Sequence, residues 1–329
     1  MSLSAALYSS LSSLNTLQQQ TRLVSANVAN AQSPEYTRKI ANLVTPAVQG
    51  LPTGVSIQSI TRTVSTTLQA ELLARTADSA AEEVRAAYLD RIGNILDVDA
   101  GEPAITERLQ AFQQAWTDFE ASPENPNLSR NIVIQGQQLA TSINQLAATP
   151  PQIDTQILTD IGTNLTLLNN LVGQAYSINT QLVTQGSTGQ PIGDLQDQMD
   201  TIIRQMSKLA KVQVLSTGTA AVQIITTGGL SLVSGAVQPV FSFDANTNQV
   251  QTTSNGITTA IPSTAFQSGQ IDALIKLRAG FGDTSTFSQT VMTSTNPADG
   301  ALRKFVNQVD QMANQIAAVT NNAYNKSNS

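Results

Sequence analysis

Nine apolar residues, Ile153, Ile157, Ile161, Leu165, Leu168, Val172, Ala175, Ile178 and Leu182, follow one another at gaps of three and four, with no proline between Pro151 and Pro191. This spacing predicts one amphipathic helix of about 35 residues, roughly 50 Å long at 1.5 Å per residue. Gly162 and Gly173 weaken it by about 1 kcal/mol each relative to alanine. Pro150-Pro151 is expected to end the helix that precedes it, which carries Leu128, Ile132, Leu139, Ile143 and Leu146.

The same arithmetic recurs along the chain. Leu3, Leu7, Ser10, Leu14, Leu17, Thr21, Val24 and Val28 make a heptad seam with six of eight positions apolar. This is a helix seeking a partner, or one docked on its own domain, and it should stop between Asn30 and Pro34. Helical periodicity returns from Val64 to Leu96 and is broken by Asp97 to Pro103. Ile105, Leu109, Phe112, Trp116 and Phe119 place the bulky side chains of the next helix, including the only Trp, on one stripe, which is expected to be core. Leu195, Met199, Ile202, Met206 and Leu209 form a further seam, and Phe305, Val309, Met312, Ile316, Val319 and Ala323 the last.

Two stretches break the pattern. Tyr36 to Arg62 carries Pro46, Gly50, Pro52 and Gly54 among short alternating runs, and reads as a loop and an irregular hairpin. After Lys211 the period drops to two, in Val212 and Val214, Val222 and Ile224, Leu230 and Leu232, Phe241 and Phe243. The expected fold is therefore mainly α with a β insertion: a long helical bundle or coiled-coil domain plus a small β domain. Its segments run 1–34 (coiled-coil helix), 35–63 (loop and hairpin), 64–211 (helical domain), 212–265 (β-rich insertion) and 266–329 (return helical segment).

Only 12% of the 329 residues are charged, against roughly 25% in an ordinary soluble domain. Gln, Asn, Ser and Thr fill the gap, while 40% of positions stay apolar, enough to bury a core. With no Cys and no His, thiolate and imidazole metal sites, Ser/His/Asp and Cys/His nucleophiles and disulfides are excluded. A net charge of −6, with 17 scattered basic residues, argues against nucleic-acid binding. No stretch approaches the roughly 18 consecutive apolar residues of a membrane span, and no secretory signal peptide is readable.

Candidate chemistry is sparse. Asp194, Asp197 and Asp200 stand at i, i+3 and i+6, but a solvated first helical turn explains them better than a cation site. Asp97-Val98-Asp99 with Glu102 lacks the spacing of a calcium loop and reads as polar loop. Gly228-Gly229 reads as a turn. No catalytic residue, cofactor or metal is expected.

The run from Ser25 to Arg38, with Ser25, Asn27, Asn30, Pro34, Tyr36 and Arg38 as its markers, resembles the N-terminal signature shared by bacterial flagellar rod, hook and hook-associated proteins. Gly54 to Arg62, Phe112 to Asn144, Asp194 to Val214, Ser268 to Leu277 and the Phe305 helix are similar to the hook-filament junction protein family. Two departures stand out. Glu35 occupies the position before Tyr36 where the family commonly has Gly, so the turn there is expected to differ. The family also normally ends in a second long helix paired with the N-terminal one, and relative to it this chain looks truncated.

The resemblance implies a flagellar axial-protein architecture and a non-enzymatic structural subunit in the extracellular bacterial flagellum, exported through the flagellar type III channel. Implied partners are copies of itself, hook protein and the second junction protein, with an export chaperone acting through the missing C-terminal part; neither nucleic acid nor membrane insertion is implied. Leu3, Leu7, Leu14, Leu17, Val24 and Val28 become the assembly seam, and Asn27 to Arg38 the turn into the helical domain. An isolated helix of that length is marginal in water, so residues 1 to about 30 are expected to gain order on assembly. The alternative is a soluble coiled-coil protein that binds a different partner or serves secretion. An enzyme in the β region is disfavoured, because residues 212–262 hold a single charged side chain, Asp244.

Overall fold

The computed structural model describes residues 3–48, 51–52, 54–96, 105–216, 220–234, 238–282, 296 and 298–327. Among them the chain forms helices α1 (Leu3–Ala29), α2 (Thr66–Leu96), α3 (Ile105–Ala121), α4 (Pro126–Ser187), α5 (Gly193–Leu209), α6 (Gln270–Arg278) and α7 (Ala301–Ser327). The strands are β1 (Lys39–Val44), β2 (Ala47–Val48), β3 (Leu51–Pro52), β4 (Ser56–Arg62), β5 (Val212–Ser216), β6 (Val222–Thr226), β7 (Ser231–Val233), β8 (Val240–Asp244), β9 (Gln249–Ser254) and β10 (Ile257–Ala260). They make small sheets ordered β1-β4, β2-β3, β5-β6-β7 and β10-β9-β8. The fold is mainly helical with β strands inserted, as the two periods require. Asp97, Val98, Asp99 and Glu102, and the side chains of Leu3 and Ala323, lie outside the described residues.

The chain divides into two compact units. The first comprises 1–78, 167–240 and 265–267; the second 79–166, 241–264 and 268–329. The β-rich stretch is thus shared between them, β5–β7 with the first and most of β8–β10 with the second.

In the first unit the buried apolar residues come from the α4 seam (Leu168, Val172, Ala175, Leu182), from α5 (Met199, Ile202, Ile203, Met206, Leu209) and from β5–β7 (Val212, Ile224, Leu232, Val233). Asn179 on α4 clamps the start of β6, donating to Val222 C=O at 2.8 Å and accepting its N–H at 2.9 Å. Thr226, Gly228 and Gly229 make the predicted turn: Gly229, at φ +88°, donates its N–H to Thr226 C=O.

In the second unit Leu146, Phe305 and Val309 form a buried cluster, flanked by Ile92, Ile105 and Met312, so that α2, α3, α4 and α7 all contribute to it. Arg278 at the end of α6 is buried; its Nε donates to Asp154 at 2.6 Å and its Nη1 to Ala245 C=O at 2.8 Å.

Two expectations are corrected. Pro150-Pro151 does not end a helix: α4 runs unbroken for 62 residues with both prolines inside it. Two successive backbone N–H groups are lost there, and a proline in a helix interior costs about 3 kcal/mol. Burial of Leu146 before the pair and of Ile153 and Ile157 after it holds the segment helical through that cost. The aromatic stripe of α3 is core only in part. Phe112 is buried, whereas Trp116 and Phe119 are half-buried and stack edge to face along the helix, with ring centroids 6.4 Å apart. Trp116 opens onto a groove of 480 Å³ shared with Leu109, Ile316 and Val319.

The uncharged surface of α4 satisfies itself. Thr155, Thr159, Thr163, Thr166, Thr180 and Thr184 each turn the hydroxyl back to the carbonyl four residues earlier. This is the local bonding that threonine favours in a helix, and it leaves a face with little unmet polarity.

Candidate functional site

The N-terminal signature converges on the place where α1, the β1–β4 hairpin and α5 meet in the first unit. α1 ends where Asn30 and Ser33 begin successive turns, with Ser33 N–H on Asn30 C=O at 2.9 Å and Tyr36 N–H on Ser33 C=O at 3.1 Å. Glu35 sits inside that turn without strain, since among described non-glycine residues only Asn248 and Asn255 take a positive φ. The turn therefore does not depend on the glycine that the resemblance led us to expect.

Asn27, in the last turn of α1, holds the hairpin. Its amide donates to Lys39 C=O at 2.9 Å, its oxygen accepts the Lys39 N–H at 3.0 Å, and the same oxygen accepts the Tyr36 hydroxyl at 2.9 Å. Further along α1, the hydroxyls of Ser12 and Thr16 both donate to Val55 C=O, at 2.6 and 2.7 Å. Gly54 makes this approach possible: at φ +136° a Cβ there would stand 2.9 Å from Ser12 Cβ.

The two basic residues of the hairpin's open end meet the acidic row of α5. Lys39 Nζ pairs with Asp194 and lies 3.0 Å from Asp197 Oδ2. Arg62 Nη1 lies 2.7 Å from both Asp197 Oδ1 and Asp200 Oδ2, and Thr37 donates to Asp197 at 2.5 Å. The expectation of a solvated turn is corrected: Asp197 is buried and only Asp194 keeps most of its carboxylate in water. Lys39 and Arg62 take the places a cation would need. The sequence hid this because the partners lie about 135 to 160 residues away. Burial opposes ionisation of Asp197, but hydrogen bonds from Thr37, Arg62 and Lys39 outweigh it and hold its pKa below the usual carboxylate range. Burial likewise opposes the Lys39 charge, and its bonds to Asp194 and Asp197 overcome this and raise its pKa. Lys39 Nζ also lies 4.4 Å from the centre of the Tyr36 ring.

Three of the remaining signature residues make contacts that involve the backbone. Asn30 caps back onto Ala26 C=O at 3.0 Å, Pro34 C=O accepts from Arg204 at 3.3 Å, and Arg38 C=O accepts the N–H of Thr63 at 2.9 Å. Ser25 and the Arg38 side chain border an open groove beside β1. The seam is bare and reaches the same groove through Leu17 and Val24: Leu7 is 70% exposed and Val28 71%, with Leu14, Leu17 and Val24 all above half. No group of three or more acidic residues among the described ones is placed to hold a metal, and none of the described helices is long and apolar enough to cross a membrane.

Comparison with known proteins gives the family of the chain. The chain is 22% identical over 285 residues to flagellar hook-associated protein 1 of Salmonella typhimurium, covering 82% of this chain and 51% of that protein. It is 23% identical over 203 residues to the Bacillus subtilis protein of the same name, covering 57% and 39%. The chain spans about half the length of the first of these relatives. The flagellar hook junction protein FlgK of Burkholderia pseudomallei shares the fold at a TM-score of 0.54 and 18% identity, over 65% of this chain and 39% of that one. The flagellar hook-associated protein FlgK helical domain matches residues 89–327, and the chain belongs to that family.

Proposed function

We propose that the chain is a structural subunit of the bacterial flagellum, joining hook to filament by packing against copies of itself and against neighbouring axial subunits, hook protein and the second junction protein. The observation that carries the reading is the seam of α1. Leu7, Leu14, Leu17, Val24 and Val28 stand in water at heptad spacing, on a helix fastened to the hairpin by Ser12, Thr16 and Asn27. A monomer gains nothing from such a stripe, whereas a tube of helices buries it at about 25 cal/mol per Å² of apolar surface. The uncharged helix faces suit repeated contact, because they can be covered without burying an unpaired charge. The subunit works without a reaction, and its place is the extracellular flagellum, reached by flagellar export.

Hooks isolated without their junction proteins provide the test. The chain should decorate hook ends in electron micrographs, and Leu14→Asp with Val24→Asp should abolish decoration while leaving the circular dichroism of the monomer intact. A discrete complex with one soluble protein, and bare hook ends, would instead favour a partner-binding role.

A further inference from the structure

The outer edge of β1 is an open sheet edge with one rung already occupied. Arg38 C=O accepts the N–H of Thr63, so the backbone of Arg38 faces β4. Strand alternation then turns the N–H and C=O of Lys39 outward, and there Asn27 meets both, as a neighbouring strand would. Alternation turns Ala41 the same way again. Among the described residues no side chain caps Ala41 as Asn27 caps Lys39. Asn27 therefore closes one end of the edge and leaves the next rung vacant.

Beside that rung lies a groove of 530 Å³ between α1 and β1, bordered by Leu17, Thr21, Val24, Arg38 and Ile40. Among its polar neighbours the apolar side chains of its walls are wet: Leu17 and Val24 are each 59% exposed and Ile40 41%. The positive charge at its mouth is that of Arg38, which is exposed and has no ion-pair partner among the described residues, whereas Lys39 is already committed to Asp194 and Asp197.

We propose that this groove docks an extended strand of another protein chain, with apolar side chains at alternate positions and an acidic residue opposite Arg38. The N–H and C=O that Ala41 presents together, one rung beyond the occupied Lys39, are matched by extended backbone and not by a helix, whose own groups are already bonded. The apolar walls take the inward side chains, and Arg38 selects against a basic strand. This goes beyond the junction reading, since a strand acceptor needs no polymer.

The test titrates three labelled, acetylated hexapeptides, alternating Val with Glu, Thr or Lys, onto the whole chain by fluorescence anisotropy. Saturable binding is expected, tighter for the Glu peptide than for the Lys peptide by about two- to fivefold, the range of an exposed ion pair. Arg38→Glu, on an exposed side chain, should reverse that order. N-methylation of alternate residues should abolish binding in one register and spare it in the other, a result that depends on no variant of the protein. Equal binding of both N-methylated forms, or no saturable binding by any of the three peptides, overturns the proposal.

Discussion

Asn27 holds Lys39 by both backbone groups, its carboxamide donating to the C=O at 2.9 Å and accepting the N–H at 3.0 Å. A side chain here stands in for a strand, and the helix end, the Tyr36 turn and the hairpin become one object. Asn179 does the same for Val222. Each neutral hydrogen bond contributes about 1 kcal/mol net, and stranded partners add to the loss. Asn27→Ala should therefore cost about 2–4 kcal/mol in urea denaturation followed in the first unit. Asn27→Asp, which keeps the acceptor and loses the donor, should cost less than alanine at the Lys39 N–H and more at its carbonyl, seen as faster exchange of hairpin amides in both variants.

The Asp197 network fixes a pH dependence whose sign follows from its pKa. Its carboxyl is held below the unfolded value of 3.8, so its stabilisation is fully present above that value and is lost as pH falls through the lowered native pKa. Asp197→Asn should cost about 3 kcal/mol near neutrality, the lower end for a broken buried pair, because Lys39 and Arg62 keep Asp194 and Asp200. The variant should also show a flatter acid limb in thermal melts between about pH 2 and 5. Asp272 behaves in the opposite sense. Burial raises its pKa against the opposing charges of Lys276 and Arg85, so the wild type gains on Asp272→Asn as the pH drops.

Much of this was legible in the sequence. The apolar gaps placed α1, α3, α5 and α7 and the buried stripe of α4, since a helix must turn one face to the core. The hairpin was readable from alternation and from Gly54. What escaped was whatever required partners distant in the chain. Asp194, Asp197 and Asp200 were visible as a row, but nothing local shows that Lys39 and Arg62 arrive opposite them. Periodicity puts Trp116 on the core stripe because it shows which face an apolar residue occupies and not how completely that face is covered.

Glycine supplies a paired contrast. A Cβ at Gly93 in α2 or Gly162 in α4 meets nothing within 4 Å. Gly93→Ala and Gly162→Ala should each stabilise by about 1 kcal/mol through helix propensity alone. Gly54→Ala should destabilise, because its φ of +136° is closed to alanine and the new Cβ would strike Ser12. Differential scanning calorimetry of the three variants separates the signs. In Gly54→Ala the loss should appear with faster amide exchange in the α1 turn around Ser12 and Thr16, where the helix leaves Val55.

The proline pair in α4 leads to a prediction against the usual direction of core mutations. Pro151 is exposed and Pro150 buried, and both sit within an uninterrupted helix. The residue before a proline is pushed away from helical backbone angles, so Pro150 is strained twice, as a proline and as the neighbour of one. Pro151→Ala restores a backbone donor and relieves Pro150, and it removes no buried side chain. Against this, the unfolded chain recovers about 0.4–1 kcal/mol of entropy that proline had denied it. With about 3 kcal/mol at stake in the helix, the variant should be more stable by roughly 2 kcal/mol, and amides between Leu146 and Ile157 should exchange more slowly. Pro150→Ala should gain less, since its ring is part of the packing. Destabilisation by Pro151→Ala would mean that the pair is needed for the course of α4, and that the strain is compensated by contacts which a regular helix would lose.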